Sequence, residues 1–456
     1  MNGLTRQQLV LFVASVALGI AAYVAPFPGL SLAGRITLGI FVTAAVLWMT
    51  EAIPLFVTSF VIVLAEVVLL GLPGGPLGLK GTQYSIFIAP FFDPIIALFL
   101  GGFVLGIAMN RYQLDLRMAK LILDRVGASP QLILAGFMAA TAFLSMWLSN
   151  TATTALMMAV VLPVLKTVPR NDPFRKALVI GIPFAANIGG MGTPVGTPPN
   201  AIAMAGLARI GVHVSFLQWV VLAVPPMLVV LLFTWQALLV VFRPRTERLD
   251  LRVAKAVPLD GGGRVVIATF LATVALWLTP SLHGVPEGIV ALIPVVVFFG
   301  LRILQPDDLK EVGWDVLFIV AGGISLGVAM QQSGLTQWIV AQIDLGGMGL
   351  FPILLALAGM SALMTTFISN SATANLLIPI VTGLSVVSPL PVTAAVALAA
   401  SLSMALPIST PPNAIAYGSG EIRVADMAKV GSIITVLGVL LVALTGITYW
   451  AVLGYR

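Results

Sequence analysis

The sequence contains no cysteine and only two histidines, His213 and His283. Disulfides, thiolate metal sites and cysteine nucleophiles are therefore excluded, and imidazole chemistry is confined to two positions. Charge is equally scarce. Asp, Glu, Lys and Arg make up 9% of the 456 residues, where a soluble domain carries about a quarter. Apolar residues fill the space, with a hydrophobic fraction of 59% and a mean hydropathy of +1.08. Long uncharged runs recur from Leu9 to Leu453, enough for roughly ten or more membrane-spanning helices of ~20 residues each. The formal charge of +6 reads as a record of orientation in a lipid bilayer, and no nucleic-acid partner is implied.

The apolar runs give candidate spans at Leu9–Ala25, Ile36–Trp48, Ile53–Leu72, Pro94–Met109, Ala177–Ala208, Phe216–Phe242, Val265–Pro280, Gly288–Leu304, Val316–Met330, Pro391–Gly420 and Met427–Val452. The first reads as a span and not a cleaved signal, because no small-residue cleavage site follows it. Two further stretches, Gln131–Leu165 and Gly349–Leu390, carry polar tripeptides at their middles, Ser149-Asn150-Thr151 and Ser369-Asn370-Ser371. An apolar hairpin that dips into the bilayer and returns, with its polar turn buried in protein, is a permitted way to place irregular backbone at membrane depth. With eleven spans, two hairpins and a cytoplasmic N-terminus, 19 of the 23 basic residues fall inside. Only Arg35, Lys80, Arg209 and Arg456 fall outside, the asymmetry that the positive-inside rule describes. The C-terminus then lies outside.

The two halves resemble each other. Leu100–Met109 reads LGGFVLGIAM and Ala321–Met330 reads AGGISLGVAM; each is followed by a short amphipathic segment, a Ser-Asn hairpin tip and a Thr-Pro-Pro-Asn stretch. Thr197-Pro198-Pro199-Asn200 returns 213 residues later at Thr410-Pro411-Pro412-Asn413, and Asn150 returns 220 residues later at Asn370. Each repeat holds five crossings and a hairpin. Five is odd, so the second copy enters the membrane inverted, the plan of many secondary transporters. The divisions that follow are an N-terminal helix (1–33), a first repeat (34–242, parted at 128/129), a basic cytoplasmic linker (243–263) and a second repeat (264–456, parted at 346/347).

Two consecutive prolines inside an apolar stretch remove two backbone donors and clash with the preceding turn, so each Thr-Pro-Pro-Asn breaks its helix. The freed backbone groups need a ligand, ion or neighbouring side chain, since lipid offers none. A kink healed by nearby hydroxyls is the plainer account of one proline; paired prolines at symmetric positions favour a site. Ser, Thr and Asn also serve as interhelical glue, yet two such tips beside two breaks make a convergent four-part arrangement that glue does not require. Glu66, inside a span, reads as a helix contact or polar pocket, Asp93 and Asp315 as helix N-caps, and His213 and His283 as solvated loop residues. No His-Glu-x-x-His and no facing aspartate pair supports an intramembrane enzyme. A channel remains open, because broken helices also line pores. The four segments of the site, 131–165, 177–208, 349–390 and 391–420, contain no Asp, Glu, Lys, Arg or His. Any anion drawn to the free amides there meets no fixed side-chain charge, and helix N-termini supply only about half a charge each.

Paired Ser-Asn tips followed by paired Thr-Pro-Pro-Asn breaks resemble the divalent anion/sodium symporter family over nearly the whole chain. The resemblance implies an all-α membrane protein of about 11 transmembrane helices plus two re-entrant hairpins in two inverted repeats, with two broken helices. It implies a homodimer in a bacterial inner membrane. Parts 34–128 and 264–346 would form a scaffold, and 129–242 and 347–456 a transport domain that moves like an elevator. Sodium is the implied coupling ion, without any other cofactor. Carried over by motif, the first sodium site uses Ser145, Ser149, Asn150 and Gly196, and the second Thr365, Asn370 and the backbone near Ile368 and Ser409. The implied substrate is a small divalent anion, a C4-dicarboxylate foremost, held by Asn150, Thr151, Asn370 and Ser371 beside Pro198 and Pro411. Ser371 stands where the family has Thr, which keeps the hydroxyl and loses a methyl contact. A sodium-independent anion exchanger and a sodium/sulfate symporter remain alternatives.

Overall fold

The computed structural model describes residues 5–249, 258–343, 347–384 and 388–455. The middle of the basic linker, with Arg252 and Lys255, lies outside the described residues, as does Arg456. Among the described residues the fold is all-helical. The first repeat follows α1 (Arg6–Val24) and comprises α2 (Leu32–Thr50), α3 (Leu55–Glu66, ending in a π turn at Val67–Gly71), α4 (Pro94–Arg111), α5 (Leu114–Leu123), α6 (Pro130–Ser145), α7 (Asn150–Leu165), α8 (Phe174–Gly190), α9 (Pro198–Arg209) and α10 (Phe216–Val241). The second comprises α11 (Gly261–Leu278), α12 (Pro280–His283), α13 (Glu287–Val290), α14 (Leu292–Gly300), α15 (Trp314–Gln332), α16 (Leu335–Ala341), α17 (Leu350–Phe367), α18 (Asn370–Val381), α19 (Pro389–Ala400), α20 (Pro411–Gly418), α21 (Val424–Ile447) and α22 (Tyr449–Val452).

Local chemistry fixes the helix starts. Ser31, Asp93, Ser129, Ser149, Ser215, Asp260 and Ser369 each accept an otherwise orphaned first-turn amide. Among the described residues, eight helices or helix pairs are long and apolar enough to cross a membrane. Their outward faces keep large apolar side chains exposed, Val240, Leu271, Leu363 and Val436 among them. Such exposure suits lipid and would be a liability in water.

Packing follows the repeat. Helix α3 lies along α15, and α13–α14 along α4; α6 packs on α8 and α17 on α19; α8 meets α10 and α19 meets α21. The second hairpin arms cross over, α7 against α20 and α18 against α9. A twofold exchange of the repeats reproduces each of these pairs. The half-helices after the breaks are thus held by the opposite repeat's hairpin, which brings both tips and both breaks to one place.

Three readings change. Asp315 is not an N-cap: Gly313 occupies the cap of α15 without a side-chain bond, and Asp315 sits in the first turn, where it still favours the positive helix end. Asp93 does cap α4 through the Ile95 amide at 2.9 Å. His283 is half-buried, its ring nitrogens engaged by the Leu276 carbonyl at 2.9 Å and the Val285 amide at 3.0 Å. The span 288–304 is built from two short helices, α13 and α14, in place of one. Glu66 is wholly buried and accepts the Ser325 hydroxyl, which also lies 2.9 Å from the Phe87 carbonyl.

Candidate functional site

Both hairpins turn by the same chemistry. In the first, α6 ends at Ser145 and α7 starts at Asn150, with Ser149 capping through the Ala152 amide at 3.2 Å. In the second, α17 ends at Phe367, Ile368 is extended, and Ser369 caps α18 through the Ala372 amide at 3.2 Å. Behind each tip a hydroxyl ties the asparagine to the broken helix. Ser145 Oγ lies 2.7 Å from Asn150 Oδ1 and donates to the Ala186 carbonyl of α8 at 2.8 Å. Thr365 Oγ1 lies 2.5 Å from Asn370 Oδ1 and 3.0 Å from the Ala400 carbonyl of α19.

The Asn150 amide oxygen points into a ring of oxygens. Besides Ser145 Oγ, the carbonyl oxygens of Gly196 and Ala186 lie 3.2 Å from it. Of these atoms only the Ser145 hydroxyl carries a proton, and the Ala186 carbonyl competes for it. Two arrangements satisfy such a cluster. The amide can turn over and donate N–H to the same three acceptors, or a cation can sit among the oxygens.

The breaks are partly healed from within. Asn200 Nδ2 donates to the carbonyls of Gly190 at 3.0 Å, Met191 at 3.2 Å and Thr193 at 2.8 Å. Asn413 Nδ2 donates to the Leu406 carbonyl at 3.0 Å. The asparagine of each Thr-Pro-Pro-Asn therefore reaches back to cap carbonyls at the end of the preceding segment, upstream of the prolines. Its spacing in the motif carried that signal, and sequence reasoning passed over it. The first break also depends on glycine. A side chain on Gly196 would strike the Gly190 carbonyl, and one at Gly190 would meet the Asn150 amide at 2.5 Å.

Tips and breaks line a cavity of about 510 Å³. Ser149, Asn150, Thr151, Gly196, Pro198, Ile368, Asn370, Ser371, Ser409 and Pro411 all reach its wall. Ser145 and Thr365 do not; both are fully buried one layer behind. Three further residues on the wall were not assigned to the site from the sequence. Asn187 is a buried amide in the apolar helix α8, detectable as a lone polar residue in an uncharged run. Glu51 and Asp315 project from the facing wall. The tips and breaks bring no side-chain charge; among the described residues the cavity is lined by these two carboxylates and by no Lys or Arg. An anion entering it meets charge of its own sign and gains nothing from Lys or Arg.

Helices with lipid-compatible exteriors, arranged so that two hairpin tips and two helix breaks share one polar cavity, define a membrane transport protein. The profile described as "Sodium:sulfate symporter transmembrane region" matches residues 6–455, and the chain belongs to that family. It is a transporter and not an enzyme. The chain is 34% identical over 453 residues to the sodium-dependent dicarboxylate transporter SdcS of Staphylococcus aureus (strain USA300), spanning 90% of this chain and 85% of that protein. Two solved structures share the fold. The Alcanivorax borkumensis YdaH transporter aligns with a TM-score of 0.56 at 14% identity, covering 88% of this chain and 98% of its own. Neisseria gonorrhoeae MtrF aligns with a TM-score of 0.55 at 12% identity, covering 96% and 94%.

Proposed function

We propose that the protein is a sodium-coupled symporter of small divalent anions, C4-dicarboxylates foremost. The observation that carries this reading is the convergence of both hairpin tips and both helix breaks on one cavity, with the Ser145 hydroxyl and the Gly196 and Ala186 carbonyls gathered about the Asn150 amide at the first break. Carbonyl, amide and hydroxyl oxygens are hard ligands suited to a small hard cation. In this proposal the first sodium site comprises Ser145, Ser149, Asn150 and Gly196. The second comprises Thr365 and Asn370 with the backbone near Ile368 and Ser409. The anion lies between them on Asn150, Thr151, Asn370 and Ser371, flanked by Pro198 and Pro411. Two cations offset a dianion in a cavity that has no basic residue and two carboxylates of its own. The name of the Staphylococcus aureus relative, a sodium-dependent dicarboxylate transporter, supports the same substrate and ion.

Alternating access in this reading moves 129–242 and 347–456 as a transport domain against a scaffold of 34–128 and 264–346, within a homodimer in a bacterial inner membrane. The N-terminus is cytoplasmic and the C-terminus outside. Uptake into proteoliposomes of labelled succinate, malate, citrate and sulfate, with an inward sodium gradient or choline in its place, tests the proposal. Succinate or malate uptake that collapses in choline is the expected result. Equal uptake in sodium and choline, with exchange intact, would establish an exchanger instead.

A further inference from the structure

The two repeats share the hydroxyl tether behind each tip and differ one residue beyond the carbonyl that receives it. Ala186 and Ala400 are equivalent, each accepting the hydroxyl behind its own hairpin tip. The next residue along is Asn187 in the first repeat and Ser401 in the second. Asn187 is fully buried in the cavity wall, and its Nδ2 donates across the repeat boundary to Thr410 Oγ1 and Asn413 Oδ1, both at 3.2 Å. Ser401 is equally buried, but its shorter side chain reaches no partner among the described residues. The link between the breaks therefore runs one way, from α8 to the second break.

That link joins the two half-sites mechanically. Three residues past Asn187, the Gly190 carbonyl is held by Asn200, and Gly190 packs against the Asn150 amide. On the far side, Thr410 caps α20 through the Asn413 amide at 3.3 Å, and Asn413 holds the Leu406 carbonyl. A shift of α8 at the first break would be carried, through one amide, to the second. Asn187 Oδ1, on the cavity wall, has no partner among the described residues, as is also true of Asn200 Oδ1 and Asn375 Oδ1.

We propose that Asn187 is a positioning residue that couples the two cation half-sites, so that occupancy of the break in one repeat sets the geometry of the break in the other. The inference rests on the sodium-symport reading above. Coupling of this kind produces cooperative sodium activation, and its loss separates the sites without abolishing either.

The test is initial succinate uptake by the full-length protein in proteoliposomes as a function of sodium. The wild type is expected to give a sigmoidal curve. Asn187→Ser, which installs the residue of the second repeat, should still require sodium but lose the sigmoid, with half-saturating sodium raised about tenfold, the scale of a lost buried bond or coupling. Thr410→Val removes one of the two acceptors at the other end and should shift the curve in the same direction; the double variant should be no worse than Asn187→Ser alone. A merely structural role would lower the melting temperature and leave the shape of the sodium curve unchanged. Wild-type sigmoidicity in both variants would overturn the coupling while leaving the symport reading intact. Equal wild-type uptake in sodium and choline would overturn both.

Discussion

The first break is built from glycine and the second from serine. Gly189, Gly190 and Gly196 let backbone approach backbone in the first, whereas Ser401, Ser403 and Ser409 occupy the second. Ser403 Oγ lies 3.1 Å from Thr366 Oγ1, and Ser409 Oγ donates to the Thr366 carbonyl at 3.1 Å. The first repeat adds close backbone packing at glycine to the side-chain hydrogen bonds of Asn200 and Thr193, and the second uses serine hydroxyls where the first has glycine. Both nevertheless present a hydroxyl-tethered asparagine to the same cavity. What the repeats preserve is the placement of oxygen atoms, and the means of holding the backbone is free to differ.

The largest expected effect breaks that contrast directly. A methyl group at Gly189 would run into the Ala142 backbone, which cannot step aside. Gly189→Ala should therefore abolish uptake and destabilise the protein by roughly 1–3 kcal/mol, the range for forced overpacking. Ser403→Ala, at the equivalent position, loses one hydrogen bond worth about 1 kcal/mol and should retain transport. Thermal melts and uptake on both proteins check the pair.

Next in size are Asn150→Ala and Asn370→Ala. Each should lower substrate affinity roughly ten- to a hundredfold, the equivalent of about 1–3 kcal/mol for a lost buried polar contact, in protein that still folds and inserts. If the asparagines are only glue, melting temperature should fall first while the surviving protein binds normally.

A smaller difference should separate the motif asparagines. Asn200 caps three carbonyls and Asn413 one. Asn200→Ala should accordingly lower the melting temperature more than Asn413→Ala. Equal losses would mean that the three contacts of Asn200 do not act independently.

The smallest effect concerns a feature of the first repeat. Asp172 follows the first hairpin, while 385–390, after the second, contains no acidic residue. Burial raises the Asp172 pKa, but hydrogen bonds from the Phe174 amide, the Thr246 hydroxyl and the Arg245 and Thr246 amides outweigh it and hold the carboxyl below its ordinary value. A depressed carboxylate pKa adds stability above the unfolded value and loses it as pH falls through the folded one. Asp172→Asn should therefore destabilise the protein at neutral pH, and the gap from wild type should close in acid. Melting curves across pH measure it.

Much of this was legible in the sequence because membrane physics leaves few options. Polar tips in uncharged hairpins have to be buried, and Pro198-Pro199 and Pro411-Pro412 open the half-helices α9 and α20; a proline pair alone does not decide a break, because Pro225-Pro226 sit inside the continuous α10. The repeat then forces both sets together. Asn187 was hidden because its partners lie more than 220 residues away, and no local pattern announces a contact across repeats. Asp315 misled because an acidic residue near a helix start resembles a cap until the backbone is seen to begin one residue earlier, at Trp314. Glu51 escaped because it lies outside the four uncharged segments and reaches the cavity only through the packing of the facing wall.

The central claim is that this cavity, without a basic residue, accepts a dianion only in the company of cations. The most direct test is the coupled flux ratio, with radiolabelled sodium and radiolabelled succinate counted in the same proteoliposomes. Two half-sites of equivalent chemistry predict at least two sodium ions carried per succinate. Succinate accumulation with no accompanying sodium flux would contradict the account.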